Sequence, residues 1–148
     1  MKIAYLILAH GNYKQLQRLL DALKYPGCKF YIHIDKKSSM PGIQQDDVCF
    51  IKDRVKVYHS TFSENKATIK LMQKAVEDDS YDRYILLSGM DYPVRSNEEI
   101  IQRIDNCEEY VTIYKWPNHL HASSYFKYYY FDRFNRRQVN FKKDFTKA

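Results

Sequence analysis

Three features of the 148-residue chain predict an α/β fold built on a mainly parallel sheet. The apolar run at residues 3–9 (IAYLILA) is unbroken, as in strands covered on both faces. Strand-like and helix-like segments then alternate along the sequence, the pattern of an α/β domain. Finally, the first two strand-like segments are separated by a helix-length crossover, which parallel pairing requires.

Each element has its own local cause. After residues 3–9, Asn12 is placed to cap a helix in which Leu16, Leu19, Leu20 and Leu23 recur at i, i+3, i+4 and i+7, and Pro26-Gly27 ends it. Residues 30–35 (FYIHID) form a second strand that stops at Asp35, and a polar loop from Lys36 runs through Pro41-Gly42. Val55 to Tyr58 is expected as a third, short strand. Glu64 to Val76 is expected as a helix with Thr68, Leu71, Met72 and Ala75 on its inner face. Residues 83–88 form a fourth strand. Ser96 and Glu99 make an S-x-x-E capping box, so a helix starts at Asn97 and turns Ile100, Ile101 and Ile104 inward. Tyr110 to Tyr114 alternates as a fifth strand. Residues 1–114 are therefore read as one α/β domain, and residues 115–148 as a basic aromatic tail.

Composition narrows the classes. The apolar run at 3–9 is too short for a signal-peptide core or a membrane span, and no other run approaches membrane length. Cys28, Cys49 and Cys107 lie far apart without a C-x-x-C pair, which argues for free thiols rather than a zinc site or a disulfide framework. The chain is expected in the cytoplasm or peripherally on the cytoplasmic face of a membrane. Most of the net charge of +6 sits in the last 24 residues, which carry seven Lys or Arg against two Asp. Nine aromatics in the same stretch allow two further readings of the tail. One is nucleic-acid binding by stacking and phosphate neutralisation, disfavoured because YFKYYYF matches no RNP1 pattern. The other is attachment at a membrane periphery.

The chemistry concentrates at strand ends. There is no G-x-x-x-x-G-K-[ST] loop, and His10-Gly11-Asn12 follows the first strand where a dinucleotide site would show G-x-G-x-x-G. Kinase and dehydrogenase readings lose their support. Instead, polar groups follow three strands: His10-Gly11-Asn12, Asp35-Lys36-Lys37-Ser38, and Ser88-Gly89-Met90-Asp91. In a parallel sheet these ends share one rim, where ligands of α/β proteins gather, and an acid after the second strand is placed to accept from a ribose. The competing reading is that Asp35 and Asp91 bond only local backbone amides.

With these motifs in order, the chain resembles the branching glycosyltransferase family, which contains core-2 and I-branching β-1,6-N-acetylglucosaminyltransferases and the peptide O-xylosyltransferases. The resemblance runs from residue 2 to about residue 114 and is carried by A-H at the first strand end, H-I-D-K-K-S at the second and S-G-M-D-Y-P at the fourth. It implies a GT-A-like, Rossmann-like half that binds a UDP-sugar, followed by an acceptor-binding half. It also implies inverting, metal-independent transfer of N-acetylglucosamine or xylose to a hydroxyl of a glycan or protein, with the UDP-sugar as donor substrate and no cofactor. Carried over residue by residue, it puts His10 near the base, Asp35 at the uridine, and Ser88, Gly89, Met90 and Asp91 beside the diphosphate and sugar. Family members usually show Trp-Gly where this chain has Tyr58-His59. The resemblance assigns the catalytic base, an acid, and the cations at the diphosphate to the acceptor half. No motif places them within residues 115–148, so donor binding without turnover is expected of a chain truncated after the donor half. A non-catalytic nucleotide-binding module is the alternative.

Overall fold

The computed structural model describes residues 1–59 and 61–106. Within them the order is β1 (Ile3–Ala9), α1 (Tyr13–Leu23), β2 (Cys28–Ile34), β3 (Val48–Phe50), α2 (Phe62–Asp78), β4 (Arg83–Ser88) and α3 (Asn97–Asp105). The four described strands form one sheet in the order β3-β2-β1-β4, with every pairing parallel. The expected α/β class is what the chain adopts. The predicted fifth strand at 110–114 and the tail at 115–148 lie outside the described residues.

The unbroken apolar run of β1 has a direct structural cause: both faces of this central strand are covered. Ile3, Tyr5, Ile7 and Ala9 face a core filled by Leu16, Leu19, Leu20 and Leu23 of α1, by Phe30, Ile32 and Ile34 of β2, and by the half-buried Ile100, Ile101 and Ile104 of α3. On the opposite face, Ala4 and Leu6 meet Tyr31, Ile51, and Leu71 and Ala75 of α2. Alternation along the strand thus sends successive side chains into two cores. The rings of Tyr5 and Phe30 stack across β1 and β2 with centroids 5.3 Å apart.

The predicted caps are formed. Asn12 sits in the left-handed region at φ 49°, which Asn tolerates better than most residues, and its side chain accepts from the Gln15 amide. Ser96 and Glu99 satisfy each other's backbone amides at the start of α3.

Two expectations are corrected. Val55 to Tyr58 is not a strand; the edge of β2 is taken by Val48–Phe50, in register from Phe30↔Val48 to Ile32↔Phe50. Segment 55–58 runs past the end of β2, where the ladder has stopped, and side chains of β2 and of the loop after it bind its amides instead. The buried stripe of α2 is Ser63, Ala67, Leu71 and Ala75, while Thr68 is half-buried and Met72 is 45% exposed. Small residues at i and i+4 let this helix lie close against the sheet. On β4, by contrast, Tyr84 and Leu86 are 42% and 50% exposed.

At the opposite end of the sheet from the loops, Asp78 closes α2 by accepting from Lys29 Nζ at 2.5 Å and from the buried Tyr31 hydroxyl at 2.7 Å. These partners hold its carboxyl down, from 3.8 to about 2. The ionised form therefore stabilises the fold above the unfolded value, and that contribution disappears as pH falls from 3.8 through about 2. Asp78→Asn is expected to flatten this part of an acid-denaturation curve, followed by circular dichroism, while a retained slope would assign it to other carboxyls. Cys28 and Cys49 are free thiols, and among the described residues no helix is long and apolar enough to cross a membrane.

Candidate functional site

Register brings the strand ends level. Ala9 pairs with Ile34 and Leu8 with Ser88, so His10, Asp35 and Gly89 leave the sheet along one rim. Behind that rim lies a cleft of about 780 Å³, within the range typical of small-molecule sites. Leu8, Ala9 and His10 line it from β1, His33, Asp35 and Lys37 from β2 and its loop, and Leu86, Leu87 and Ser88 from β4. Val57, Tyr58, His59 and Glu64 form the remaining wall.

Asp35 is the anchor of this arrangement. It is only 6% exposed, and its Oδ1 accepts from the Lys37 amide at 2.9 Å and the Val57 amide at 3.3 Å. Lys37 Nζ pairs with Oδ2 at 3.3 Å, donates to the Val57 carbonyl, and lies 4.3 Å from the centroid of the Tyr58 ring. An ionised carboxylate has about four acceptor sites, so acceptor capacity remains beyond these three partners. The rest of the loop is tied down from several sides. The Ser38 hydroxyl donates to the His10 carbonyl at 2.6 Å, Arg54 donates to the Ser38 carbonyl at 2.9 Å, and the Tyr13 hydroxyl donates to the Ser39 carbonyl.

His33 points to the same side of the strand as Asp35, two residues on. It is 1% exposed, and its Nε2 accepts from the Val55 amide at 2.9 Å. Burial pushes this imidazole below the ordinary histidine range; nearby Asp35 acts in the opposite direction, while Arg54 and Lys70 reinforce the effect of burial.

The loop after β4 is tied to itself. Asp91 Oδ2 accepts from the Ser88 amide at 2.8 Å, the Asp91 amide donates to the Ser88 carbonyl at 3.0 Å, and the Met90 amide donates to the Ser88 hydroxyl at 3.2 Å. Asp91 is exposed, and its Oδ2 closes the turn after β4; it is not among the residues that line the cleft. Gly89 does not line the cleft either. A Cβ there would lie 2.7 Å from the Ala9 Cβ, so this glycine lets the loop close against β1.

The cleft thus gathers His10, Asp35 and Ser88, and it leaves out Gly89 and Asp91. Sequence reasoning did not single out His33, Lys37, Tyr58, His59 or Glu64 as site residues. For His33 a signal existed: the period of two in H-I-D places it on the same face as Asp35. Among the described residues, no group of three or more His, Cys, Asp or Glu is placed to hold a metal ion.

A parallel sheet between helices, with a cleft at the carboxyl ends of its central strands, is consistent with a GT-A-like α/β fold. The Core-2/I-Branching enzyme family model matches residues 3–140, and the chain belongs to that family. It is 33% identical over 111 residues to Xylosyltransferase 2 of Canis lupus familiaris and 31% identical over 111 residues to that of Homo sapiens, in each case over 68% of this chain and 13% of the relative. It is also 30% identical over 111 residues to the beta-1,3-galactosyl-O-glycosyl-glycoprotein beta-1,6-N-acetylglucosaminyltransferase of Bos taurus, over 69% of this chain and 26% of that protein. The chain therefore spans a minor part of the length of these relatives.

Proposed function

We propose that the chain carries the donor-binding part of a glycosyltransferase that takes a UDP-sugar in this cleft. The sugar, xylose or N-acetylglucosamine, passes to a hydroxyl of a glycan or protein with inversion and without a metal ion. Asp35 is the observation that carries the reading: a buried acid at the end of the second strand, with acceptor capacity left, is suited to the hydroxyls of a ribose. His10 and Ser88 border the same space from the two neighbouring strands. Support for the transferred sugar comes from the relatives' names, and support for metal independence from the Gly89-Met90-Asp91 loop, whose single acid is bound to its own turn.

In inverting transfer the acceptor hydroxyl gives its proton to a base as its oxygen bonds to the anomeric carbon. The bond from that carbon to the diphosphate breaks on the opposite side, and UDP leaves with the electron pair. Lys37, the cation that lines the cleft, is committed to Asp35, Val57 and Tyr58, and no residue here is assigned as base. Incubation with UDP-N-acetylglucosamine and UDP-xylose, with UDP binding and release followed in the presence and absence of chelator, tests the proposal. Binding indifferent to chelator and without UDP release is expected of the donor-binding part. A chelator-sensitive signal would refute metal independence, and absence of binding would remove the donor reading.

A further inference from the structure

Residues 57–59 form one wall of the cleft, and the segment 55–58 that leads into that wall lies outside the sheet and is held largely by side chains. Val55 is held by both backbone groups: its amide donates to His33 Nε2 at 2.9 Å and its carbonyl accepts from the Lys36 amide at 3.0 Å. Val57 is held in the same way by Asp35 and Lys37. The Tyr58 amide then donates to the Ser63 hydroxyl at 2.8 Å, which joins the wall to the start of α2. Side chains of residues 33 and 35 thus replace the ladder partners that β2 lacks beyond its end.

We propose that His33 is a positioning residue for the donor: its neutral imidazole fixes the Val55–Tyr58 wall against Asp35, and its protonation releases that wall and weakens donor binding. The inference rests on the donor reading above and names a residue that reading does not use. Accepting at Nε2 leaves the ring's single proton on Nδ1. A second proton would turn Nε2 into a donor facing the Val55 N–H, so the bond is lost and two donors oppose each other. Burial, which holds the imidazole below its usual range, keeps the wall closed at neutral pH. The charges that act on His33 are Asp35 beside it, Arg54 just before the held segment and Lys70 on α2. His10, His59 and Glu64 border the same cleft, so the assignment requires variants at His33 itself.

The test is calorimetric titration of the 148-residue chain with UDP-N-acetylglucosamine, whose diphosphate diester carries no proton that titrates in this window, from about pH 7.5 to about 4.5, which reaches below the ordinary histidine range. His33→Phe, which keeps the volume and removes the acceptor, is expected to weaken binding about tenfold at the upper pH. His33→Gln, whose amide oxygen can take the same N–H without titrating, is expected to recover most of that loss and to flatten the acid-side decline of the wild type. In the unliganded protein the Val55 amide resonance should move across the same window in wild type and stay fixed in His33→Gln. Wild-type affinity in His33→Phe, or an undiminished acid decline in His33→Gln, overturns this proposal alone. A wild-type chain that binds no UDP-sugar at any pH removes the donor reading, and this proposal with it.

Discussion

Asp35→Asn is expected to weaken UDP binding by about tenfold or more and to cost about 1–3 kcal/mol of stability, because a charge-assisted acceptor is replaced by a neutral amide. Two effects combine at this position. The carboxylate serves the amides of Lys37 and Val57 and the ammonium of Lys37, so the variant leaves a buried donor set underpaired. It also removes the acceptor offered to the ribose. Urea denaturation reads the first effect and calorimetry the second. Asp91→Asn is the internal comparison: among the described residues its carboxylate serves the turn after β4, so a modest change in stability with near-normal UDP affinity is expected. Equal losses of affinity in the two variants would mean that Asp91 reaches the ligand.

Gly89→Ala is expected to destabilise the fold by about 1–3 kcal/mol, the usual cost of forcing a methyl into a packed site. The new Cβ would lie 2.7 Å from the Ala9 Cβ and 3.5 Å from the Leu8 carbonyl oxygen, on the central strand. Neither neighbour is the flexible end of a long side chain, so relief requires β1 and the loop to separate. The Gly89 amide also donates to that Leu8 carbonyl at 2.8 Å, a bond the separation would stretch. Adding Ala9→Gly removes the facing methyl, and the cost of Gly89→Ala should then be smaller than in wild type. Strict additivity of the two changes in thermal or urea unfolding would show that the contact does not set the cost.

How much was readable in advance follows from which interactions are local. The leucine stripe of α1, the Asn12 cap and the Ser96–Glu99 box depend on neighbours within four residues, and the chain states them directly. The central position of β1 was implied by its lack of polar interruption, which only a strand covered on both faces can sustain. The third strand was misplaced for an equally physical reason. Val55 and Val57 alternate as strand residues do, but the edge of β2 was already occupied by Val48–Phe50, three residues in polar surroundings. Competition for a ladder partner is a tertiary matter that period alone does not settle. On α2, Ser63 and Ala67 carry too little apolar surface to stand out, yet with Leu71 and the expected Ala75 they form the buried stripe.

The site shows the same division. His10, Asp35 and Ser88 were expected on one rim from strand ends alone, and parallel register places them there. For Asp91, spacing does not distinguish a carboxylate facing a ligand from one closing a turn, and the bond to the Ser88 amide shows that it closes the turn. The attachment of the wall at 57–59 is not legible in the sequence, because it runs through side chains of residues 33, 35 and 37, a link between distant segments that leaves no periodic trace.

Titration of the isotope-labelled chain with UDP, following backbone amide resonances, tests most directly whether the strand-end cleft is a nucleotide site. Saturable shifts centred on His10, Asp35 and Ser88, with smaller changes along 55–59, are the predicted result. Resonances that stay in place at high UDP, or shifts confined to the end of the sheet that carries Asp78, would contradict it.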